Sequence, residues 1–135
     1  MYDKKIALVI SHDLLPWQKL NVAAFLSSSI AISFPEVHGK PFVNKTSTYL
    51  PFIKNPMLIY KADSQEQMKK ALRRAKEREL AVAIYTRPLF STKNEDENII
   101  EIAKYTDEEQ ELVGIAIYGE NKKVDKAIDG LYFHE

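Results

Sequence analysis

Two short segments of the sequence combine polar side chains that could bind or transform a ligand. His12 and Asp13 follow one apolar run, and Thr86 and Arg87 follow another. A histidine titrates near neutral pH and a carboxylate can orient it, so His12 and Asp13 are the candidate catalytic residues. The alternative for Asp13 is that it stabilises the turn before a helix. An arginine suits a carboxylate or phosphate group of a ligand, or else forms a surface ion pair.

Further candidates for ligand binding lie next to these segments. The indole of Trp17 could stack on a flat ligand, or it could anchor the core. Asn21 is an amide within an otherwise apolar helical segment. Together with their neighbours these residues form the predicted ligand-binding set, which is Trp17, Gln18, Asn21, Tyr85, Thr86 and Arg87.

Several other kinds of site have no support in the sequence. The chain has no cysteine, which removes cysteine nucleophiles, disulfides and cysteine metal ligands. His12, His38 and His134 lack the spacing of a zinc motif. The four glycines do not cluster in a phosphate-binding loop, and there is no G-x-S-x-G nucleophile turn. We therefore expect no metal and no cofactor.

Length and composition are typical of one globular domain, which we expect to span residues 1–135, since 45% of the residues are apolar and 28% are charged. The 19 basic residues balance the 19 acidic ones, which disfavours a nucleic-acid partner. No apolar stretch approaches the roughly 20 residues that span a membrane, and no secretory signal is recognisable. We expect a cytoplasmic protein that makes no membrane contact.

The elements that must position the candidate residues follow from the apolar pattern. Four apolar runs of strand length alternate with segments that favour helix; the runs are residues 6–10, 57–60, 80–85 and 112–118. The helix signals are Pro16, the Ser64–Gln67 capping box, the Asn94–Glu97 capping box and Asn121. The alternation predicts an α/β protein, a three-layer α/β/α fold with a mixed, mostly parallel four-stranded central sheet. Ligands bind at the carboxyl ends of such strands, where both polar segments lie.

Three local features complete the prediction. The first helix should place its small residues, such as Ala23, Ala24 and Ser27, against the sheet. The third should turn Ile99, Ile102 and Ala103 inward. The stretch at about 36–55 is irregular, and we expect it to form a flap.

The chain resembles a known bacterial family in a combination of short motifs, which are Asp13-Leu14, Pro16-Trp17-Gln18, the run from Leu20 to Leu26, Tyr49-Leu50-Pro51, Tyr85-Thr86 and Val124-Asp125-Lys126. That family is an uncharacterised domain of unknown function, number two thousand, within the type II peptidyl-tRNA hydrolase-like superfamily. The ending, from Gly114 to Gly119 and then Val124 to Leu131, also looks like the last strand and helix of those hydrolases. The resemblance implies their fold.

The resemblance does not extend to the catalytic residues of the hydrolases. Asn21 stands where they have a lysine, Phe25 where they have a glutamine and Ser28 where they have a histidine. Tyr85-Thr86-Arg87-Pro88 replaces their aspartate turn. Losing a catalytic cation and a catalytic carboxylate together should abolish a mechanism that depends on them.

Three hypotheses about function remain open. The first is a binding protein for a small molecule or peptide-like ligand at the carboxyl edge of the sheet. The second is a divergent peptidyl-tRNA or related ester hydrolase. The third is a non-catalytic module that forms a homodimer through exposed aromatic residues around Tyr49 and Phe52.

Overall fold

A five-stranded mixed sheet forms the centre of the computed structural model, which describes residues 2–135. The strands are β1 (Lys4–Ser11), β2 (Phe42–Val43), β3 (Thr48–Tyr49), β4 (Met57–Ala62), β5 (Ala81–Thr86), β6 (Leu112–Glu120) and β7 (Tyr132–Phe133). The helices are α1 (Pro16–Ser33), α2 (Gln65–Glu77), α3 (Glu95–Ala103) and α4 (Asn121–Ala127). Two 3-10 turns add Pro35–Val37 and Arg87–Ser91. The α/β class is therefore confirmed.

The strand order in the sheet is β5-β6-β1-β4-β7. β1 runs parallel to β4, while β6 lies antiparallel to both β1 and β5, and β7 lies antiparallel to β4. The prediction of a mixed sheet is confirmed. The predicted four strands and mostly parallel pairing are wrong, because β7 adds a fifth strand and only the β1–β4 pairing is parallel. Apolar runs report that a strand is buried on both faces and carry no information about its direction.

Helices cover both faces of the sheet. On one face, Val22, Leu26 and Ile30 of α1 pack in a cluster with side chains of β1 and β6. On the other face, α2 and α4 pack against Val9 and Ile117. The buried side of α2 consists of Met68, Ala71, Leu72 and Ala75, as its i, i+3, i+4, i+7 spacing predicts.

The packing of α1 agrees with the prediction only in part. Its buried residues are Val22, Leu26 and Ile30, whereas Leu20, Ala24 and Ser28 are exposed. The small residue that permits close approach belongs to the sheet instead: a Cβ atom on Gly114 would lie 2.5 Å from Val22 Cγ1. Of the small residues predicted to face the sheet, Ala23 packs against the core cluster and Ser27 is partly buried beside Met57, whereas Ala24 is exposed.

Helix α3 lies beside the Arg87–Ser91 turn and has no buried residue. Ile99 is 60% exposed and Ala103 is also exposed, so the prediction that they point inward is wrong; Ile102 is partly buried. A nine-residue helix can show an amphipathic pattern without a sheet to bury it against. Its first turn forms the rim of a cleft, described below.

The predicted flap forms a β-hairpin. Its stem is held to the body where Gly39 N donates to the Phe52 carbonyl oxygen at 2.9 Å, and Asn44 Oδ1 closes its turn by accepting from Thr46 N and Ser47 N. Every residue from 40 to 52 is exposed, and we call this segment the arm. Across residues 2–135, no helix combines the length and the apolar character needed to cross a membrane.

Candidate functional site

A cleft of about 640 Å³ opens on the α1 side of the sheet, beyond the end of β5. Three structural units form it: the first half of α1, the end of β5 with the Arg87–Ser91 turn, and the start of α3. Its lining residues are Trp17, Asn21, Phe25, Tyr85, Leu89, Phe90, Thr92, Lys93, Asn94, Glu95 and Asn98. Three of the predicted ligand-binding residues, Trp17, Asn21 and Tyr85, thus meet in one cavity.

Aromatic rings form one side of the cleft. Phe90 lies at its centre, with its ring centroid 5.8 Å from that of Trp17 and 5.2 Å from that of Tyr85. Phe25 extends the row, 6.2 Å from Tyr85. Trp17 nevertheless remains 56% exposed and Phe25 58% exposed, so both have faces available to a ligand.

Polar groups complete the lining of the cleft. Asn94 caps α3 by accepting from Glu97 N at 2.9 Å, and the Thr92 hydroxyl contacts the Asn98 side chain. The exposed amide of Asn21 makes no hydrogen bond with the rest of residues 2–135, which leaves it free to bind a ligand. Partial burial raises the pKa of Tyr85 above its usual value, so its hydroxyl stays protonated at neutral pH and can donate a hydrogen bond.

A charged cluster adjoins the cleft through the Arg87–Ser91 turn. Arg87 Nε donates to Glu111 Oε2 at 2.5 Å, and Arg87 Nη2 lies 3.5 Å from Asp13 Oδ2. The backbone N–H of Arg87 also donates to the Glu111 carbonyl oxygen at 3.0 Å. Asp13 completes the cluster by accepting from Ser11 Oγ at 2.6 Å. The guanidinium group of Arg87 is therefore already shared between two carboxylates.

The hydroxyl of Ser11, followed by the charge of Arg87, holds the pKa of Asp13 below its ordinary value. Replacing Ser11 by alanine should therefore raise the pKa of Asp13 towards the ordinary value of an aspartate. A depressed carboxyl pKa stabilises the fold above the unfolded-state pKa, and this contribution is lost as the pH falls through the folded-state pKa. The effect on stability is small because Asp13 is exposed.

NMR titration of the side-chain carboxyl carbons would measure this shift directly. Ser33→Ala, which removes an exposed hydroxyl at the far end of α1, is the matched control. An Asp13 pKa that stays the same in Ser11→Ala and in wild type would contradict the assignment.

The remaining predicted residues lie outside the cleft. His12 does not pair with Asp13; its ring lies edge-on to His134, with centroids 6.3 Å apart. Gln18 Oε1 accepts from Leu15 N at 3.0 Å and so caps the start of α1. Thr86 is buried, with 1% exposure. The predicted His12–Asp13 arrangement is thus not assembled, because the two side chains have different neighbours.

Sequence reasoning missed several residues that line the cleft. Phe90, Lys93 and Asn98 follow no strand end directly and carry no motif of their own. The one usable signal was the helix cap at Asn94, since a helix that begins shortly after a strand brings its first turn to the same edge of the sheet. Within residues 2–135, no three histidine, aspartate or glutamate side chains are grouped to hold a metal ion.

The fold and the cleft define a small α/β protein with a mixed sheet between helices and an aromatic-lined cavity at one edge. Residues 4–135 match the family described as "Protein of unknown function (DUF2000)", and the chain belongs to this family. The prediction of an uncharacterised domain family is thereby confirmed.

The fold is similar to that of a solved structure, the protein of unknown function Atu0240 from Agrobacterium tumefaciens strain C58. The two sequences are 32% identical, the match covers 100% of each chain, and the TM-score is 0.95. No curated protein matches the sequence.

Proposed function

We propose that the protein binds a small molecule or a peptide-like ligand in the cleft beyond β5. The observation that carries this proposal is a cavity of about 640 Å³ that is lined by aromatic rings together with amide and hydroxyl groups. Ligand sites in proteins have this size and this composition, with apolar walls supplying most of the contact and a few polar groups fixing orientation.

The aromatic side of the cleft favours a ligand with a flat group. Trp17 and Phe25 are rigid, half-exposed rings on α1. Phe90 and Tyr85 lie between them in the row of aromatic rings. A planar ring or peptide plane in this position would contact ring faces at little cost in conformational entropy. The amide of Asn21 and the hydroxyl of Tyr85 would then supply directional hydrogen bonds.

The charges around the cleft favour an uncharged or zwitterionic ligand over a phosphate. Lys93 and Glu95 offset each other at the rim, and Arg87 is engaged by Asp13 and Glu111. A phosphate ligand would have to compete with both carboxylates for that guanidinium group. The predicted role of Arg87 in binding the ligand directly is therefore replaced, in this proposal, by a role in positioning the Arg87–Ser91 turn.

We also propose that the fold belongs to the type II peptidyl-tRNA hydrolase-like superfamily and has its three-layer α/β/α arrangement. Support comes from Ala23-Ala24 in the helix after the first strand and from Val124-Asp125-Lys126 after the last long strand. Hydrolysis has less support than ligand binding, because His12 and Asp13 contact different neighbours and do not form a catalytic pair. Ligand binding requires no such pair.

A ligand screen would test the proposal. Thermal-shift measurements with heteroaromatic amides, nucleosides and dipeptides should identify compounds that raise the melting temperature, since binding stabilises the folded state by mass action. Replacing Trp17 by alanine should weaken the binding of such a compound roughly tenfold, because it removes one stacking face.

The matched control is Tyr105→Ala, which removes a partly exposed aromatic ring outside the cleft and should leave the affinity unchanged. Chemical shifts of the Asn21 side-chain amide should move on binding in the wild-type protein. A compound that binds both variants equally would place the site elsewhere, and a screen without any hit would reject the proposal.

A further inference from the structure

The solvent-facing side of α1 carries no charged side chain. Lys19 is the single charged residue in the 18 residues of the helix, and it is partly buried. The exposed side follows the i, i+4 spacing through Leu20, Ala24, Ser28 and Ile32, with Leu20 73% and Ile32 81% exposed. A helix at a free surface ordinarily presents charged residues to water, so this side has the composition of a contact surface.

The arm shows the same property. Its apolar residues lie on the stem of the hairpin, with Val43 73%, Leu50 85% and Phe52 72% exposed. Its turn, residues 44–47, is polar. A two-stranded hairpin is at best marginally stable by itself in water, and this arm buries none of its own residues. The stem therefore has the character of a segment that is completed by a partner.

The two apolar surfaces are joined through a short connection in the chain. The arm leaves the body directly after α1, and His38 Nε2 fixes the junction by donating to the Ala31 carbonyl oxygen at 2.6 Å. Ile32, which is 81% exposed, directly follows Ala31 at this junction. A single partner can therefore cover both.

We propose that this surface binds a second copy of the same chain. In the resulting twofold-symmetric dimer, α1 packs against α1 of the other copy near Ala24 and Ser28, and each arm lies along the flank of its partner. The small side chains of Ala24 and Ser28 let two helices approach closely at the symmetry axis. This inference goes beyond the proposed ligand binding and does not depend on it.

The exposed apolar area suits such a dimer. Leu20, Ile32, Val43, Tyr49, Leu50 and Phe52 are each more than half exposed. Each exposes on the order of 100 Å² or more, so together they offer roughly 700 Å², close to the roughly 800 Å² that each partner contributes to a standard stable interface. A patch of this size is large enough for a dimer interface.

A membrane surface is the competing partner, and the arm argues against it. The first residues to reach a bilayer would be the polar turn Asn44-Lys45-Thr46-Ser47, while the apolar stem would stay behind. Membrane-binding segments place their apolar residues at the leading side instead. The position of the apolar residues on the stem therefore favours contact with another protein chain.

Sedimentation equilibrium at micromolar concentrations tests the dimer. The wild-type protein should have twice its 15.5 kDa chain mass. Ile32→Glu and Leu50→Glu should each weaken association by about a hundredfold or more, because each places an unpaired carboxylate in the apolar interface. Ile100→Glu, at a 60% exposed position of α3 outside the surface, is the matched control and should remain dimeric. Circular dichroism would verify that all variants are folded.

A cysteine cross-link tests the position of the symmetry axis. The chain has no cysteine, so Ser28→Cys introduces a single thiol. Two such thiols near the axis should form an intermolecular disulfide under mild oxidation. Those of Lys70→Cys, exposed on α2 across the sheet from α1, should not. A dimer that fails to cross-link through Ser28→Cys would overturn the packing of α1 on α1.

A monomeric wild-type protein would overturn the whole proposal. Co-sedimentation of that monomer with phosphatidylserine-containing vesicles, lost in Leu50→Glu, would assign the surface to a membrane instead.

Discussion

Replacing Ile30 by alanine should lower the free energy of unfolding by about 3 kcal/mol, the middle of the range for truncating a buried isoleucine. Ile30 is 2% exposed and packs in the cluster that joins α1 to the sheet through Leu8 and Val22. The loss combines the transfer free energy of the removed carbons with the cost of the cavity they leave. Urea unfolding followed by circular dichroism would measure it.

Ile100→Ala is the matched control, since it makes the same substitution in a helix at a position that is 60% exposed. Ile100→Ala should change the free energy of unfolding by less than about 0.5 kcal/mol, because the site is exposed and alanine has a higher helix propensity than isoleucine. Both variants should be compared at one protein concentration, because dimerisation would add to the apparent stability. Equal losses in the two variants would mean that α1 does not pack on the sheet through this face.

The elements of the fold were largely predictable because local signals determine them. The apolar run at 6–10 became the buried core of β1, and Ser64 and Asn94 cap α2 and α3 by accepting from Gln67 N and Glu97 N. These signals act within a few residues, so they can be recognised without knowing which segments pack together in the fold.

The arrangement of those elements was less predictable. The insertion of β6 between β1 and β5 depends on contacts between segments more than 20 residues apart in the chain. A single sequence does not reveal such contacts. The same limit applies to the choice of which side of α1 packs on the sheet. That side depends on Gly114 of the facing strand, which lies far from α1 in the sequence.

The sequence identified some residues of the candidate cleft but not the way in which they are arranged. Tyr85 and Asn21 were identified from their positions beside a strand end and within an apolar helix, and they do meet in the cleft. Arg87 and Asp13 also come together, but as members of an ion cluster. His12 shows the limit of the approach, because adjacency in sequence sends neighbouring side chains in different directions, and its ring lies beside His134 at the other end of the chain.

Replacing Gly114 by alanine should destabilise the protein by about 2 kcal/mol, even though the change would favour an ordinary strand. The new methyl group would lie 2.5 Å from Val22 Cγ1 and 3.0 Å from Leu26 Cδ1. Neither neighbour can move easily, because a valine in a helix is stiff about χ1 and Leu26 is 2% exposed. The helix would have to shift away from the sheet.

The substitution Gly119→Ala in the same strand is the control, since its new methyl group meets only the flexible tip of Leu80 and the site is partly exposed. It should change the free energy of unfolding by less than about 0.5 kcal/mol. The double variant Gly114→Ala with Val22→Ala removes the obstructing methyl groups, and should cost less than the two single changes added together. Additive losses in that cycle would show that the contact between Gly114 and Val22 does not set the distance between α1 and the sheet.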